Sequence, residues 1–491
     1  MKVLMRADAS VSTGTGHAMR CLALAQALVD RGHQVVLATA ELALPLERRF
    51  GAEAVVVARL DRRGPDSDLD QVRGLAGRME SEVFVVDGYQ FDAEYVSGIG
   101  RAGRLLLIDD RGMAGLDTAL VVNQNNYAAA ADYPSRAPNT ELLLGPRHAL
   151  LRREFAASPP PHRAVGSPDR VLLTIGGSDP DDATRRLLPA LRHVRELRVI
   201  IGPLHPDPQR LAGDVAAAGG TVITDTKDMR AQLTWADLVI GAAGTGALEF
   251  AWAGAPAVLV VTAENQEPVA RSMERAGTAI NLGSPDAGIV ERLTDVLSAL
   301  SADSQLLGRM SAAGRQLVDG RGASRVVTCM ESAMTLRPAT QRDDRILFEW
   351  ANDPTVRAAS FNTAPISWEE HQAWLQSRLE DPRTQIYVAD HAGQPVGMSR
   401  FALDGTNAVI SVSLASEARG RGLGERLIAL ASHRLFAETG ATSIDAWIRP
   451  GNAASVHAFV AAGYMRRETR TTPASAPSDV VLLTYESVGR R

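Results

Sequence analysis

Short apolar runs alternate with amphipathic segments from the start of the chain, and this alternation limits the folds open to it. Between the apolar runs at residues 3–6 and 34–38, residues 18–31 show helical periodicity and are followed by Gly32, a residue that commonly ends helices. A strand, a helix and a strand in that order require a parallel sheet with right-handed crossovers. Further strands are predicted at residues 54–57, 83–87 and 105–109. The first part of the chain is therefore predicted to be a Rossmann-like α/β domain.

A proline-rich stretch interrupts this pattern. Pro159, Pro160 and Pro161 stand at the centre of residues 156–169, and proline cannot donate a backbone hydrogen bond to a helix or a sheet. Strand-like runs then resume at residues 171–175, 197–201, 221–224, 238–240 and 257–261. We therefore predict two Rossmann-like domains, over residues 1–157 and 166–335, with a cleft between them.

A third pattern begins near Leu336. Strands are predicted at residues 385–390, 395–400, 409–414 and 443–447, and helices at residues 424–439 and 453–462. The predicted fold class is thus α/β throughout, with a third domain over residues 336–491. A length of 491 residues fits three domains, because a domain averages roughly 150 residues.

Composition argues against several classes of protein. A net charge of −5 disfavours a general nucleic-acid-binding protein, which normally has a basic face. No uncharged apolar run of about 18 residues occurs, so no membrane-spanning segment is predicted. Cys21 and Cys329 are too few for a disulfide framework or a zinc site of their own, which favours the reducing cytoplasm. Nothing in the sequence sets the oligomeric state.

The loop after the first strand, residues 6–21, reads RADASVSTGTGHAMRC. In a doubly wound sheet this loop lies at the carboxyl edge of the strands, where ligands bind. Gly14 and Gly16 permit a tight turn and the close approach of a substrate. His17 falls at the start of the helix, where the helix dipole disfavours the imidazolium and suits a general base. Locally, the same residues also fit a plain tight turn whose histidine caps a neighbouring group.

Two strand-to-helix turns of the second domain, at residues 176–178 and 241–249, combine small residues with free backbone N–H groups. Such turns are suited to diphosphates, although Rossmann-like domains also contain them without a nucleotide. The residues we assign to phosphate and ribose contacts are Ser178, Gly244, Thr245 and Glu249. The dinucleotide fingerprint Gly-x-Gly-x-x-Gly does not follow the first strand, which argues against an NAD enzyme.

Polar side chains follow several strands at the same predicted sheet edge: Asp8, Asp87, Tyr89 and Asp109. Each is suited to orienting water or a sugar group, and each is equally suited to capping a loop or a helix. Asn265 and Gln266 either bind the sugar or fix a loop. The Asp109-Asp110 pair is more typical of a salt-bridged loop than of a cation site, so no metal is predicted.

In combination, these strings resemble the UDP-sugar hydrolases of the pseudaminic-acid pathway, which act on UDP-2,4-diacetamido-2,4,6-trideoxy-β-L-altropyranose. The matching strings are residues 6–21, 86–89, 109–110, 144–152, 176–180, 241–249 and 265–266, so that the resemblance covers residues 1–335. It implies a GT-B-type arrangement of the two Rossmann-like domains. One departure is that Thr245-Gly246-Ala247 follows Gly244 where the family often has Gly-Ser-Thr, so one hydroxyl is lost.

The same resemblance assigns roles to individual residues. It implies that His17 is the base that activates water at the anomeric carbon. Among the strand-end residues, Asp8 and Tyr89 are the ones we predict to be catalytic as well. The residues predicted to contact the substrate are Gly14, Gly16, Arg20, Asp87, Ser178, Gly244, Thr245, Glu249, Asn265 and Gln266.

A glycine-rich loop of the third domain follows the predicted strand at residues 409–414 and opens a helix. Its glycines expose consecutive N–H groups, and the helix start adds positive potential that suits a pyrophosphate, although taken alone it is only a basic loop. With residues 452–455 and 459–464 at matching spacing, the region resembles the GNAT-type acetyltransferases, which implies acetyl-CoA as cosubstrate. The coenzyme A contacts so implied are Leu414, Arg419, Gly420, Arg421, Gly422, Leu423, Gly424, Asn452 and Ser455.

The third domain departs from that family at Phe459, where many members have the tyrosine that protonates the departing thiolate. Phenylalanine has no proton to give. Water, Ser455, His457 or Tyr464 are left as candidates for the acid, unless the domain is inactive.

Together, the two resemblances imply a bifunctional enzyme of pseudaminic or another nonulosonic acid biosynthesis. The GNAT domain would acetylate the 4-amine of a UDP-4-amino-4,6-dideoxy-N-acetylhexosamine, and the hydrolase would release UDP and a 2,4-diacetamido-2,4,6-trideoxyhexose. The alternatives are a GT-B glycosyltransferase with an appended acyltransferase, and a non-catalytic nucleotide-sugar-binding protein that senses acetyl-CoA. His17 beside two glycines and a complete coenzyme A loop favour the enzyme.

Overall fold

The computed structural model of the chain describes residues 1–11, 13–61, 65–81, 83–137, 140–156, 167–179, 181–224, 226–331, 334–391, 393–467 and 480–486. The chain forms two compact units, Met1–Glu331 and Ser332–Arg491. Pro159, Pro160 and Pro161 of the predicted linker lie outside the described residues. Within the described parts of the chain, no helix combines the length and the apolar character needed to cross a bilayer.

The first unit opens with a seven-stranded parallel sheet. Its elements are β1 (Lys2–Ala7), α1 (Gly16–Val29), β2 (Gln34–Thr39), α2 (Leu44–Ala52), β3 (Val56–Arg59), α3 (Pro65–Met79), β4 (Val83–Asp87), α4 (Ala93–Gly100), β5 (Arg104–Ile108), β6 (Leu120–Asn123) and β7 (Glu141–Leu144). The strand order is β3-β2-β1-β4-β5-β6-β7. The order reverses between β1 and β4, and ligands of doubly wound sheets bind at such a switch point.

A second parallel sheet, of six strands, follows in the same unit. Its elements are β8 (Arg170–Thr174), α5 (Ala183–Leu187), β9 (Glu196–Ile201), α6 (Pro208–Ala217), β10 (Thr221–Thr224), α7 (Met229–Trp235), β11 (Leu238–Ala242), α8 (Gly246–Ala253), β12 (Ala257–Val260), α9 (Glu267–Arg275), β13 (Ala279–Gly283), α10 (Ile289–Ala302), α11 (Ser304–Leu317) and α12 (Gly322–Glu331). The order β10-β9-β8-β11-β12-β13 places the switch point between β8 and β11. Helix α12 buries Val326, Val327 and Met330 in the core of the first sheet, so the chain returns to the first half at its end.

The second unit is built on a mixed seven-stranded sheet in the order β14-β15-β16-β17-β18-β20-β19. Its elements are β14 (Met334–Pro338), α13 (Asp344–Asn352), α14 (Pro354–Ala359), α15 (Trp368–Glu380), β15 (Thr384–His391), β16 (Gln394–Asp404), β17 (Asn407–Leu414), α16 (Leu423–Glu438), β18 (Ser443–Ile448), α17 (Ala453–Ala461), β19 (Met465–Arg467) and β20 (Val481–Glu486). The parallel strands β17 and β18 pair only from Asn407 to Val409. Beyond Val409 the two strands are no longer paired, so that one edge of the rest of β17 has no ladder partner among the residues that the structure describes.

The predicted α/β fold class is confirmed, and so are the two parallel sheets that precede a different, mixed sheet. The structure adds strands that the sequence reading did not include, namely β6, β7, β13, β14, β19 and β20. Most of them are only three to five residues long, too short for an apolar run to stand out. These additions extend the edges of each sheet and do not change its switch point.

Candidate functional site

The loop between β1 and α1 carries the first part of the site. Gly14 adopts a φ of 71°, in the left-handed region that glycine enters without strain. Thr15 is the N-cap residue of α1, and His17 is the second residue of that helix. The turn therefore places the imidazole at the carboxyl edge of the first sheet, beside its switch point.

His17 pairs with a buried carboxylate at the end of β4. The distance from His17 Nδ1 to Asp87 Oδ1 is 2.6 Å, and the Asp87 side chain is fully buried. Arg20, one turn further along α1, donates to both oxygens of Asp87, from Nη2 to Oδ1 at 2.7 Å and from Nε to Oδ2 at 3.0 Å. Burial alone would raise the pKa of Asp87, but the charge of Arg20 and the hydrogen bonds from His17 and Arg20 hold that pKa below its usual value. Asp87 is therefore an anion that accepts hydrogen bonds from both side chains.

This pairing fixes the tautomer of the imidazole. A carboxylate can only accept, and Asp87 Oδ1 is the nearer neighbour of Nδ1, so we assign the Nδ1 proton to the bond with Asp87. Arg20 Nη2 also lies 2.9 Å from Nδ1, and in this tautomer it donates to Asp87 instead. The lone pair then resides on Nε2, which makes no hydrogen bond within the described part of the chain. A carboxylate behind Nδ1 and an available Nε2 are the arrangement of a general base.

Tyr89 connects this site to the second sheet. Its hydroxyl donates to Asp110 Oδ2 at 3.0 Å and accepts a hydrogen bond from Asn265 Nδ2 at 2.8 Å. The ring also packs edge-on against His17, with ring centroids 4.6 Å apart. Burial and the Asp110 charge raise the Tyr89 pKa well above its usual value, so the hydroxyl stays neutral. Four predicted residues, Tyr89, Asn265, His17 and Asp87, thus meet at one place.

Asp8 is engaged differently. Its carboxylate accepts from Arg6 Nη1 at 2.6 Å, from the Thr39 hydroxyl at 2.9 Å and from the backbone N–H of Ala40 at 2.8 Å. Burial would raise the pKa of Asp8, but Arg6 lowers it below the usual value. These partners hold the carboxyl edge of β1 and β2 together, so the contacts favour a structural role over the catalytic role predicted for Asp8.

The two glycine-rich turns of the second sheet face the same loop. A Cβ added to Gly177 would lie 2.2 Å from Thr15 Cγ2, and one added to Gly16 would lie 3.9 Å from Thr245 Oγ1. Thr245 is the N-cap of α8, and the nearest atom to a Cβ on Gly244 would be Gln266 Nε2, at 4.0 Å. The backbone of the Gly177 turn and the side chain of Thr245 therefore lie close to the loop that carries His17.

The remaining predicted residues of this half have identified places. Ser178 is buried beside the first of these turns. Gln266 uses its Oε1 to accept from the N–H and the hydroxyl of Thr262, which fixes its loop. Glu249 lies in the first turn of α8, where its Oε1 accepts from Arg152 Nη2 at 3.0 Å. The ion pair with Arg152 thus engages Oε1 of the carboxylate that is predicted to bind ribose, and it does not involve Oε2.

Within the described residues, one group has donor atoms spaced as a metal site would need. Asp179, Asp182 and His205 offer ligand atoms that all lie within 4.8 Å of one another. Asp179 accepts from the N–H groups of Ala183 and Thr184, which caps α5, and Asp182 pairs with Arg185. These partners account for the Asp179 carboxylate and for Oδ2 of Asp182, whereas Oδ1 of Asp182 and Nε2 of His205 are buried without a hydrogen-bond partner among the described residues.

In the second unit, the glycine-rich loop has the backbone of an anion site. Gly420 and Gly422 have φ values of 73° and 75°, and α16 begins at Leu423. Left-handed residues in such a loop turn successive N–H groups toward one side. Arg419 folds back, donating to the Leu414 carbonyl at 3.0 Å and pairing with Asp353 at 2.8 Å. The side chain of Arg419 therefore fixes the loop, whose backbone N–H groups we expect to face an anion.

Helix α17, which follows β18, carries Phe459 at the position where many GNAT proteins have the tyrosine that acts as an acid. Phe459 is buried and packs edge-on against Tyr464, with ring centroids 4.9 Å apart. The Tyr464 hydroxyl is buried and hydrogen-bonded to the Ser432 hydroxyl at 2.8 Å, and burial raises its pKa well above the usual value. Asn452 caps α17 by accepting from the N–H of Ser455. Tyr464 is thus a core residue, whereas His457 is exposed.

Sequence reasoning placed Asp87 in the site but did not pair it with His17. It also did not include Asp110, which joins Arg20 at 3.0 Å to Tyr89, or Arg152, which joins the two sheets through Glu249. A signal for the first pair was present, since His17 and Arg20 are one helical turn apart and face the same way. A buried arginine is expected to pair with a carboxylate, and a histidine on the same helix face would then lie within reach of that carboxylate.

Comparisons with known proteins agree with this architecture. Residues 171–321 match the Glycosyltransferase family 28 C-terminal domain, and residues 333–465 match the Acetyltransferase (GNAT) domain. The Xanthomonas campestris UDP-N-acetylglucosamine--N-acetylmuramyl-(pentapeptide) pyrophosphoryl-undecaprenol N-acetylglucosamine transferase is 30% identical over 321 residues, which are 62% of this chain and 69% of that one. At that identity and coverage, together with the matched domain, the chain belongs to the glycosyltransferase family 28 proteins.

Other relatives resemble one unit each. The spore coat polysaccharide biosynthesis protein SpsG of Bacillus subtilis is 25% identical over 199 residues, covering 39% of this chain and 59% of that protein. The aminoglycoside N(6')-acetyltransferase type 1 of Klebsiella pneumoniae is 26% identical over 164 residues, or 30% of this chain and 82% of that one. A crystal structure of the aminoglycoside acetyltransferase AAC(6')-Ib with coenzyme A matches 31% of this chain and 95% of that one, at 24% identity and a TM-score of 0.28. The first unit is thus GT-B-like and the second carries a GNAT acetyltransferase domain.

Proposed function

We propose that the first unit hydrolyses a UDP-sugar and that the second acetylates an amino group of the precursor of that sugar. The observation that carries the hydrolase half is the buried His17–Asp87 pair, in which Nε2 of the imidazole makes no hydrogen bond to any residue that the structure describes. A glycosyl transfer needs a sugar or lipid acceptor, whereas a positioned base beside the switch point is sufficient to activate water. The substrate we propose is a UDP-2,4-diacetamido-2,4,6-trideoxyhexose of nonulosonic acid synthesis.

The proposed chemistry needs a base but no strong acid. Water donates a proton to His17 Nε2 as its oxygen attacks the anomeric carbon, and the bond from that carbon to the phosphate oxygen breaks. UDP leaves with the bonding electrons, and Asp87 stabilises the imidazolium formed. The free N–H groups of the turns at Gly177 and Gly244 are suited to the charge that develops on the diphosphate.

The acetyl-transfer half rests on the GNAT domain and on the loop that contains Gly420 and Gly422. The N–H groups of that loop are suited to the pyrophosphate of acetyl-CoA. The buried Tyr464 hydroxyl is not placed to protonate a thiolate, so we assign that proton to solvent. Acetyl transfer at the 4-amine would supply the diacetamido substrate of the first unit.

The second candidate for the first unit is a glycosyltransferase. It is favoured by the named activity of the Xanthomonas relative, which is a sugar transfer. It differs from the hydrolase in one respect only, because the hydroxyl that attacks the anomeric carbon then belongs to an acceptor instead of water.

Product analysis in ¹⁸O-labelled water separates these reactions. The full chain is incubated with the UDP-diacetamido sugar, and then separately with the UDP-4-amino sugar and acetyl-CoA. We expect unlabelled UDP, free sugar labelled at its anomeric oxygen, and coenzyme A in the second mixture. Label in UDP would mean attack at phosphorus, and an intact acetylated UDP-sugar would exclude hydrolysis.

The matched variant for this assay is His17→Gln. It should abolish sugar release while acetyl transfer continues, which also shows that the protein is folded. Sugar release only after addition of a hydroxyl acceptor would favour the glycosyltransferase instead.

A further inference from the structure

Arg400 of the second unit is a partly buried arginine without a carboxylate partner in the described part of the chain. It lies on β16, and its one hydrogen bond runs from Nη2 to the Ser411 hydroxyl at 3.2 Å. Its guanidinium lies over the ring of Trp374 on α15, 5.6 Å from the ring centroid. Arginines that are removed from water normally pair with an acid, so the positive charge of Arg400 is not compensated and would be stabilised by a bound anion.

A second arginine, Arg378, adds to the positive charge at this place. Arg378 follows Trp374 by four residues on α15 and therefore lies on the helix face over which Arg400 packs. Burial and the Arg378 charge both lower the pKa of Arg400, as two neighbouring cations that repel each other would. Arg378 has only a long pairing with Asp381, at 3.7 Å, and its side chain is 43% exposed. An anion between the two guanidinium groups would relieve the repulsion and satisfy both.

The position of Arg400 relates this cation pair to acetyl transfer. Arg400 stands directly across the ladder from Ser411 of β17. Ser411 is exposed, and it belongs to the part of β17 beyond Val409, where β18 no longer pairs with that strand. The coenzyme A loop begins just after the same strand, at Arg419. The cation pair is therefore one strand away from the open edge that leads to this loop.

We propose that Arg400 and Arg378, with Trp374, form the acceptor subsite of the acetyltransferase and bind a phosphate of the amino substrate. The acceptor is therefore an anionic sugar, a phosphate of which binds the two guanidinium groups. This inference rests on the proposed function and adds the residues that recognise the diphosphate of the UDP-4-amino sugar. It also distinguishes this unit from its aminoglycoside-acetylating relative, because an aminoglycoside is a polycation and the two arginines would repel it.

Steady-state acetyl transfer by the full chain, followed as coenzyme A thiol release, tests the proposal. The substrates are the UDP-4-amino sugar, the corresponding amino sugar 1-phosphate, the free amino sugar, spermidine and kanamycin. We expect Arg400→Gln to raise the KM for the UDP-sugar by about tenfold or more, the loss expected for a charge-assisted hydrogen bond. Arg400→Lys should recover part of it, and the KM for acetyl-CoA should stay within about twofold.

The control variant is Arg345→Gln. Arg345 also lies over a tryptophan, Trp368, but it is exposed and paired with Glu349. This variant should leave all kinetic constants unchanged. Free UDP should inhibit acetyl transfer competitively with the sugar acceptor, and this inhibition should weaken in Arg400→Gln.

Two results would overturn the proposal: an unchanged acceptor KM in Arg400→Gln, or a preference of the unaltered chain for spermidine or kanamycin. Acetylation of the sugar 1-phosphate but not of the UDP-sugar would refute the proposed substrate while supporting the anion subsite. Failure of UDP-sugar hydrolysis concerns the first unit alone, so the two proposals can fail separately.

Discussion

The substitution Asp87→Asn tests the central feature of the first unit. The asparagine side chain has nearly the shape of aspartate but only one accepting oxygen and no charge. Asp87 now accepts from His17 at 2.6 Å and from Arg20 at 2.7 and 3.0 Å. With its NH₂ at the Oδ1 position, the amide faces both His17 Nδ1 and Arg20 Nη2 and selects the wrong tautomer, while with its NH₂ at the Oδ2 position it opposes Arg20 Nε. Neither orientation preserves the base and its support together.

Both activity and stability should respond. A positioned general base contributes about 10²–10⁴ in rate, so we expect kcat for UDP-sugar hydrolysis to fall by about that factor, with KM little changed. Removing one partner of a buried ion pair costs about 3–5 kcal/mol. Arg20 retains Asp110 at 3.0 Å, so the loss of unfolding free energy should lie near the lower end of that range.

The assay is UDP release, with thermal unfolding measured on the same sample. Acetyl transfer by the second unit is an internal reference, because it does not depend on Asp87. Asp109→Asn is the matched control, since Asp109 is also a buried strand-end acid, but it caps the N–H groups of Arg111 and Met113 and does not touch His17. If Asp87→Asn hydrolyses within tenfold of the unaltered chain while His17→Gln is inactive, the carboxylate does not orient the base and the reasoning fails.

Four further predictions concern other parts of the chain. Tyr464→Phe should leave the acetyl-transfer kcat within about threefold and cost about 1 kcal/mol in unfolding, because the hydroxyl makes one buried hydrogen bond; a hundredfold loss of rate would make Tyr464 the acid. Gly202→Ala should lower the free energy of unfolding by about 1–3 kcal/mol in denaturant titrations, because the added Cβ would lie 2.3 Å from a backbone carbonyl oxygen. As a control, Gly213→Ala lies in open space on α6 and should leave the free energy of unfolding unchanged or raise it. The pKa of Asp87 is lowered in the folded chain, so the stabilisation that its carboxylate gives is complete above the unfolded pKa of about 3.9 and is lost as the pH falls through the lower folded pKa. The melting temperature should therefore decline with acidification, and it should decline less steeply in Asp87→Asn. Glu249→Gln should weaken binding of UDP but not of 2′-deoxy-UDP in calorimetric titrations, and equal weakening of both would assign Glu249 to its pair with Arg152 alone.

Long apolar runs made most of the fold predictable. The segment VFVVD in β4 is buried on both faces of the sheet, and such a continuous apolar run is typical of a strand in a parallel sheet. The strands that the sequence did not indicate are short, as in β6 and β7, or lie at a sheet edge, as in β13 and β14. Such strands owe their structure to pairing with a neighbour that is distant in sequence, so local composition carries little of the information.

The candidate site was predictable as a set of residues but not as a set of contacts. Strand-end positions alone give Asp8, Asp87 and Asp109 equal claims on the imidazole of His17. The choice among them is made by the strand order and by the register that pairs Ala7 of β1 with Asp87 of β4. That register aligns the end of β4 with the start of the loop that carries His17, whereas Asp109 lies past the end of β5, one strand further away. Long-range pairing therefore selects Asp87 from chemically identical acids, and Arg20 on the same helix face makes the buried carboxylate tolerable by neutralising it.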